Sequence, residues 1–235
     1  MIKIEHWRTY GWEAAIRGMR NPMNSWDKSD SHYCWEEGVG CWNCELSGQD
    51  VCHAEQYNVG EADLELMKKL ASAGDVHGKF LRMITVTCDI TAPLYWWKEF
   101  DTYKVGTVAN SCSTMHKIHE KEFTLNDFSH EHLVDVHIDF LSEIIEALNG
   151  IREVYLGYEG HEDELKRNFG VESKKDIWWQ MIQLLPSSYN QKRTVQLNYS
   201  VLKNIYEYRS NHKLDEWREL CDWIKLLPYS ELIIG

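Results

Sequence analysis

The chain has 235 residues, 43% of them hydrophobic and 11 of them tryptophan, which is ample for a packed core and excludes a disordered chain. Asp and Glu number 37 against 25 Lys and Arg, a formal charge of −12. A surface of that sign repels phosphate backbones and argues against a protein that coats DNA or RNA, while a small anionic ligand needs only a few local cations.

The N-terminus "MIKIEHWRTYGWEAAIRG" has neither an apolar signal-peptide core nor a small-residue cleavage site. No run of about 18 apolar residues occurs, so no membrane span is expected. Seven cysteines, an odd number without an export signal, argue against a disulfide framework. The expectation is a cytoplasmic chain. No repeat, low-complexity tract or Pro/Gly/Ser linker interrupts it, so a single domain over 1–235 is expected.

In chain order, "IKIEHW" alternates as a short strand and "GWEAAIRGM" opens a helix. Next comes a cysteine-rich stretch, "CWEEGVGCWNCELSGQDVCH", set within an insertion at about 31–58. Cys41 and Cys44 have the Cys-x-x-Cys bite of a tetrahedral zinc site, and Cys34 and Cys52 complete a set of four donors unless His53 replaces one. Structural zinc is the expectation; free thiols and an iron–sulfur cluster are the alternatives. "GEADLELMKKLASAG" then places Leu64, Met67, Leu70 and Ala71 at helical spacing, with Gly74 as the stop.

From Leu81 to Ile90 the period falls to two. Ile84, Val86, Cys88 and Ile90 share one face and Thr85, Thr87 and Asp89 the other, the pattern of a half-buried strand. Pro93 suits the first turn of a helix carrying Leu94, Trp96, Trp97 and Phe100. A long amphipathic helix is predicted from about His130 to Tyr158, with Leu133, Val134, Val136, Phe140, Leu141, Ile144, Ile145 and Leu148 as a broad apolar face. "DIWWQMIQLL", "NYSVLKNIYEYR" and "LDEWRELCDWIKLL" read as three more helices, the first ending at Pro186. The fold class is therefore α+β, helix-rich with a small antiparallel sheet.

One helix carries a polar stripe. Asn198, Leu202, Ile205, Arg209 and His212 recur on one face, with Asn204 and Tyr208 beside it. An arginine and a histidine in line with two apolar residues need partners. Either Asp215 or Glu216 pairs with them, or they reach an anionic ligand, for which arginine offers two parallel bonds.

Five segments taken together resemble the flavin-dependent thymidylate synthases: "GWEAAIRG", "GDVHGKFLRMITVTCDITAPLYWW", the loop "KEFDTYKVGTVANSCSTMHK", "QLLPSSYNQKRTVQLN" and "NYSVLKNIYEYRSNHKLDEWREL". The likeness is better over about 62–117 and 178–221 than before residue 60. It implies an oligomeric fold, a homotetramer with active sites where subunits meet. There FAD, reduced by NADPH, carries a hydride, and methylenetetrahydrofolate gives a one-carbon unit to dUMP.

The same likeness sets Thr102, Tyr103 and Lys104 at the family's Arg-His-Arg triplet, so one cation of three remains. It also sets Cys112 at a serine near the uracil. It assigns His77, Tyr103, Lys104, Asn198, Asn204 and His212 to the cofactor, and Glu99, Asn110, Cys112 and Arg209 to the substrate. Catalytic roles fall to Arg209, polarising the pyrimidine imide, and Cys112, where a nucleophilic thiolate and a structural thiol are both readings. Each charged hydrogen bond lost from a phosphate pocket costs roughly 1.5–3 kcal/mol, with Lys98, Lys117, Lys192 and Arg193 as replacement cations. The expected function is methylation of dUMP or a related pyrimidine nucleotide. A non-catalytic nucleotide-binding or sequestering protein on the same fold is the alternative, and an interaction module organised by the cysteines a third.

Overall fold

The computed structural model describes residues 2–33 and 57–235. In chain order its elements are β1 (Lys3–Tyr10), α1 (Trp12–Arg20), β2 (His32–Tyr33), β3 (Tyr57–Asn58), α2 (Glu61–Ser72), β4 (Thr85–Pro93), α3 (Leu94–Phe100) and β5 (Val108–Ser111). After these come α4 (Thr114–Lys117), α5 (Asp135–Leu156), α6 (Glu162–Phe169), α7 (Lys174–Leu184), β6 (Asn190–Asn198), α8 (Tyr199–Arg209), α9 (Asp215–Ile224) and α10 (Glu231–Ile234).

The long strands form an antiparallel sheet in the order β1–β4–β6–β5. Val86, Cys88, Ile90 and Ala92 of β4 and Val195 and Leu197 of β6 are buried on one side, as alternation requires. Against that side pack Ile16, Met67, Leu202 and Ile205 from the helices. Trp96 centres an aromatic cluster, its ring 4.8 Å from Trp97, 5.0 Å from Phe100 and 4.9 Å from Trp217. A smaller core lies between α5 and α7, with Phe123, Phe128, Leu141, Ile145, Leu148 and Met181.

Two expectations need correction. Pro93 is the last residue of β4, extended at ψ 151°, and precedes α3 instead of lying in its first turn. The first two N–H groups of α3, from Leu94 and Tyr95, donate to the carbonyls of Tyr189 and Ser187, each at 3.0 Å. The long helix is shorter than expected, and only part of its apolar stripe is covered. Leu141, Ile145 and Leu148 are buried, whereas Val136 and Phe140 are 60% and 64% exposed, because α7 packs along one side alone. Leu133 and Val134 precede the helix and are exposed too.

The proposed zinc ligands Cys34, Cys41, Cys44 and Cys52 lie outside the described residues. Among those described, no cluster of three or more metal-ligating side chains occurs. No described helix is long and apolar enough to cross a membrane.

Residues 29–31 are strapped to α2 by one buried carboxylate. Asp63 accepts from Arg20 Nε, Ser29 Oγ and Ser31 Oγ, each at 2.6 Å, and from the N–H groups of Asp30 and Ser31 at 3.2 Å. The Asp30 carboxylate in turn accepts from the N–H groups of Ala62 at 2.8 Å and Asp63 at 3.0 Å, capping α2. A side chain at Gly60 would place its Cβ 2.2 Å from Asp30 Cγ, so this approach requires glycine.

Burial by itself raises the Asp63 carboxyl, but the Ser29, Ser31 and Arg20 hydrogen bonds and the Arg20 charge outweigh it and hold the group below its ordinary value. A depressed folded value means that this contribution is complete above the unfolded value and is lost as pH falls through the folded one. Asp63→Asn leaves buried Arg20 without its counter-charge and is expected to cost about 3–5 kcal/mol at neutral pH in urea unfolding. The difference from wild type should narrow as pH drops below the ordinary aspartate value of 3.8.

Candidate functional site

β6 runs directly into α8 through Asn198, the last residue of the strand and the cap of the helix. Its side-chain oxygen accepts from the N–H of Val201 at 3.0 Å, satisfying one of the helix's free donors. From there α8 sends Leu202 and Ile205 into the core and delivers Arg209 on its last turn, about 16 Å along the axis.

Arg209 is held on three sides. Its Nε donates to Tyr103 Oη at 2.9 Å and its Nη1 to Glu99 Oε2 at 3.2 Å, and its guanidinium carbon lies 4.8 Å from the Trp217 ring centre. The same Glu99 oxygen accepts from Trp217 Nε1 at 3.0 Å and lies 3.6 Å from His212 Nε2. One carboxylate oxygen thus gathers an arginine, a tryptophan and a histidine.

Glu99, on α3, replaces the partners expected from the sequence. Asp215 is bonded to His132 at 2.9 Å and to Arg218. Glu216 is buried and accepts from Tyr95, whose phenol burial and the Glu216 bond push well above its ordinary value. The loop 101–107 lies along α8. Tyr103 meets Arg209 at one end, and Gly106, at φ +80°, passes so close to Asn198 that a Cβ there would lie 2.6 Å from Nδ2.

A second group forms at the other end of β6. β5 pairs with it from Val108–Gln196 to Ser111–Arg193, which places Asn110 opposite Thr194. Cys112 continues the ladder, its N–H donating to the Lys192 carbonyl at 2.9 Å and its carbonyl accepting from Gln191 Nε2 at 3.0 Å. Here opens a cleft of about 470 Å³ whose lining includes Cys112, Thr114, Lys117, Lys121, Tyr189 and Lys192. Lys117 pairs with Glu120, Lys121 with Asp127 at 2.6 Å, and Lys192 with Asp89 at 3.0 Å. Only the Lys117–Glu120 pair is exposed on both sides and so worth little, leaving Lys117 the readiest to turn to an incoming anion, whereas Asp127 and Asp89 are largely covered.

The structure therefore brings Glu99, Tyr103, Arg209 and His212 together and keeps Cys112 and Asn110 apart from them. Among the described residues no hydrogen bond or ion pair joins Cys112 directly to Arg209. His77, at the start of the 3-10 turn 78–82, is exposed, as are Lys104, Asn110 and Asn204. Lys104 has no hydrogen-bond or ion-pair partner among the described residues.

These free side chains suit a large surface-bound cofactor such as FAD, for which ammonium and amide groups are fitting donors. Asn198 and Tyr103 are already committed to Val201 and Arg209 and could serve it only through their remaining edges. Sequence reasoning missed Trp217, Gln191 and Lys121. Trp217 carried a signal, as the first aromatic residue after His212 in sequence. Gln191 also carried one, a polar residue in phase with Val195 and Leu197.

Thymidylate synthase X from Helicobacter pylori, solved with FAD and dUMP, aligns over 99% of this chain and 95% of its own, with a TM-score of 0.58 at 15% identity. A second structure of that organism's flavin-dependent thymidylate synthase, also with FAD and dUMP, aligns over 99% and 96% with a TM-score of 0.58 at 14% identity. The chain has their fold. No family model matches it, and no curated protein sequence does.

Gly106→Ala forces a side chain into left-handed backbone and against Asn198, so it is expected to cost about 1–3 kcal/mol. Urea unfolding should show this loss, and hydrogen exchange should show the N–H groups of 101–107 and of Val201 losing protection.

Proposed function

We propose that this chain is a divergent flavin-dependent thymidylate synthase-like protein that methylates dUMP or a related pyrimidine nucleotide, using methylenetetrahydrofolate, NADPH and FAD. The observation that carries this reading is Arg209, fixed at the end of α8 by Tyr103, Glu99 and Trp217, on a fold whose solved examples hold FAD and dUMP. An arginine anchored through Nε and Nη1 keeps Nη2 to donate to a pyrimidine carbonyl, drawing electron density from the ring. Glu99 makes that cluster nearly neutral, so it suits the base and not the phosphate.

The phosphate belongs in the lysine cleft, where Lys117 is the readiest to exchange its carboxylate for it, with Lys121 and Lys192 beside it. Cys112 stands at the rim of the same cleft, exposed and oriented through both of its backbone groups. His77, Lys104, Asn204 and the free amide edge of Asn198 would hold FAD, which supplies hydride chemistry when bound. As part of the same reading, the complete site would lie between subunits of a homotetramer, as the resemblance implies.

Two observations favour the second reading, a nucleotide-binding protein without catalysis. Glu99 already occupies Arg209, and Thr102 and Tyr103 stand where the resemblance expects cations. The two readings separate on purified protein. The first expects bound flavin in the visible spectrum and rescue of a thymidine auxotroph; the second expects a colourless protein that releases a nucleotide on denaturation. In either case Arg209→Ala should weaken dUMP binding about tenfold to a hundredfold in calorimetric titration, the loss of one charged hydrogen bond. A protein that binds neither flavin nor pyrimidine nucleotide would end both.

A further inference from the structure

Arg193 lies on β6 in phase with Val195 and Leu197, so it points towards the core side of the sheet, where a cation must be fully partnered. Its Nη1 is 2.8 Å from Asp101 Oδ1, its Nε donates to Gln191 Oε1 at 3.0 Å, and its guanidinium carbon sits 4.2 Å from the Trp97 ring centre. Gln191 is 8% exposed, and the other end of its amide donates to the Cys112 carbonyl at 3.0 Å. The amide orientation is dictated by its neighbours, because a flipped group would set two donors face to face at Arg193 and two acceptors at Cys112.

Asp101 opens the loop that carries Tyr103 to Arg209, and Cys112 rims the lysine cleft. We propose that Arg193 is a positioning residue that couples these two places, so that loop 101–107 and the Cys112 backbone move as one unit. The connection runs Asp101–Arg193–Gln191–Cys112 through side chains and crosses β6 without following the backbone. Only a planar fork serves here. A lysine at this position offers a single ammonium and cannot hold Asp101 and Gln191 together while stacked on Trp97. A shift of the loop on engagement of Arg209 is thereby felt at the cleft, whatever the ligand proves to be.

Site-resolved alkylation by iodoacetamide, followed by peptide mass spectrometry on the full chain, reads this coupling at Cys112. Cys88 and Cys221 are buried, and burial, then the Asp89 charge, pushes the Cys88 thiol up to about 12. These two report that each variant is folded. Asp101→Ala does not touch Cys112, yet it is expected to raise Cys112 alkylation about threefold or more by freeing the relay. Arg193→Lys should do the same, and the double variant should exceed neither single one.

Gln191→Glu keeps the acceptor for Arg193 and removes the donor to Cys112. It should therefore speed Cys112 alkylation while leaving hydrogen exchange in 101–107 unchanged, which a general loosening of structure would not do. A Cys112 rate within about twofold of wild type in Asp101→Ala, or a double variant whose effect is the product of the single ones, overturns the proposal. Should Cys88 or Cys221 become reactive in Asp101→Ala, the milder Asp101→Asn carries the same comparison under the same limits.

Discussion

The antiparallel pairing of β4 with β6 is the constraint from which the candidate site hangs. It runs without a break from Thr85–Asn198 to Pro93–Asn190, so each strand ends where the other begins. The end of β4 releases α3 with Glu99, and the end of β6 releases α8 with Arg209. The start of β6 supplies Gln191 and Lys192, which hold Cys112. A slip of one residue would carry Val195 and Leu197 to the open face and bring Lys192 and Thr194 inward, so the apolar alternation fixes the geometry of both groups together.

Charge is arranged locally against the overall balance. In a chain of net charge −12, the cations of the candidate site are mostly matched by nearby carboxylates: Arg209 by Glu99, Arg193 by Asp101, Lys121 by Asp127 and Lys192 by Asp89. The pairs differ in how easily they open. The lysines keep more of their side chains in solvent, whereas Arg209 and Arg193 are largely enclosed and stacked on tryptophan. Anion exchange therefore belongs to the cleft, and fixed orientation belongs to the arginines.

The sequence showed β4 because buried residues alternate with half-buried ones from Thr85 to Ala92, and it showed the helix of Arg209 because two polar residues interrupt an apolar line. It did not show what those residues touch. Glu99 is 110 positions away, and nothing in local spacing separates it from Glu216, which a tyrosine has already claimed. β6 went unmarked for a related reason. Gln191 and Arg193 occupy core-side positions that look wrong until Trp97, Asp101 and Cys112 are in place around them. On α5 the error ran the other way, since a stripe of apolar residues states what can be buried and not how much of it a neighbour covers.

The cap of α2 has a consequence for the order of events in folding. Gly60, at the cap position, has no side chain to offer, and the acceptors come from Asp30, 32 and 33 positions earlier than the N–H groups they satisfy. A cap supplied from within a helix's own sequence assists it in the unfolded chain, but one supplied from this distance acts only after the earlier segment has docked. The first turn of α2 is thus completed late, and loss of the Asp30 carboxylate should quicken unfolding far more than it slows folding.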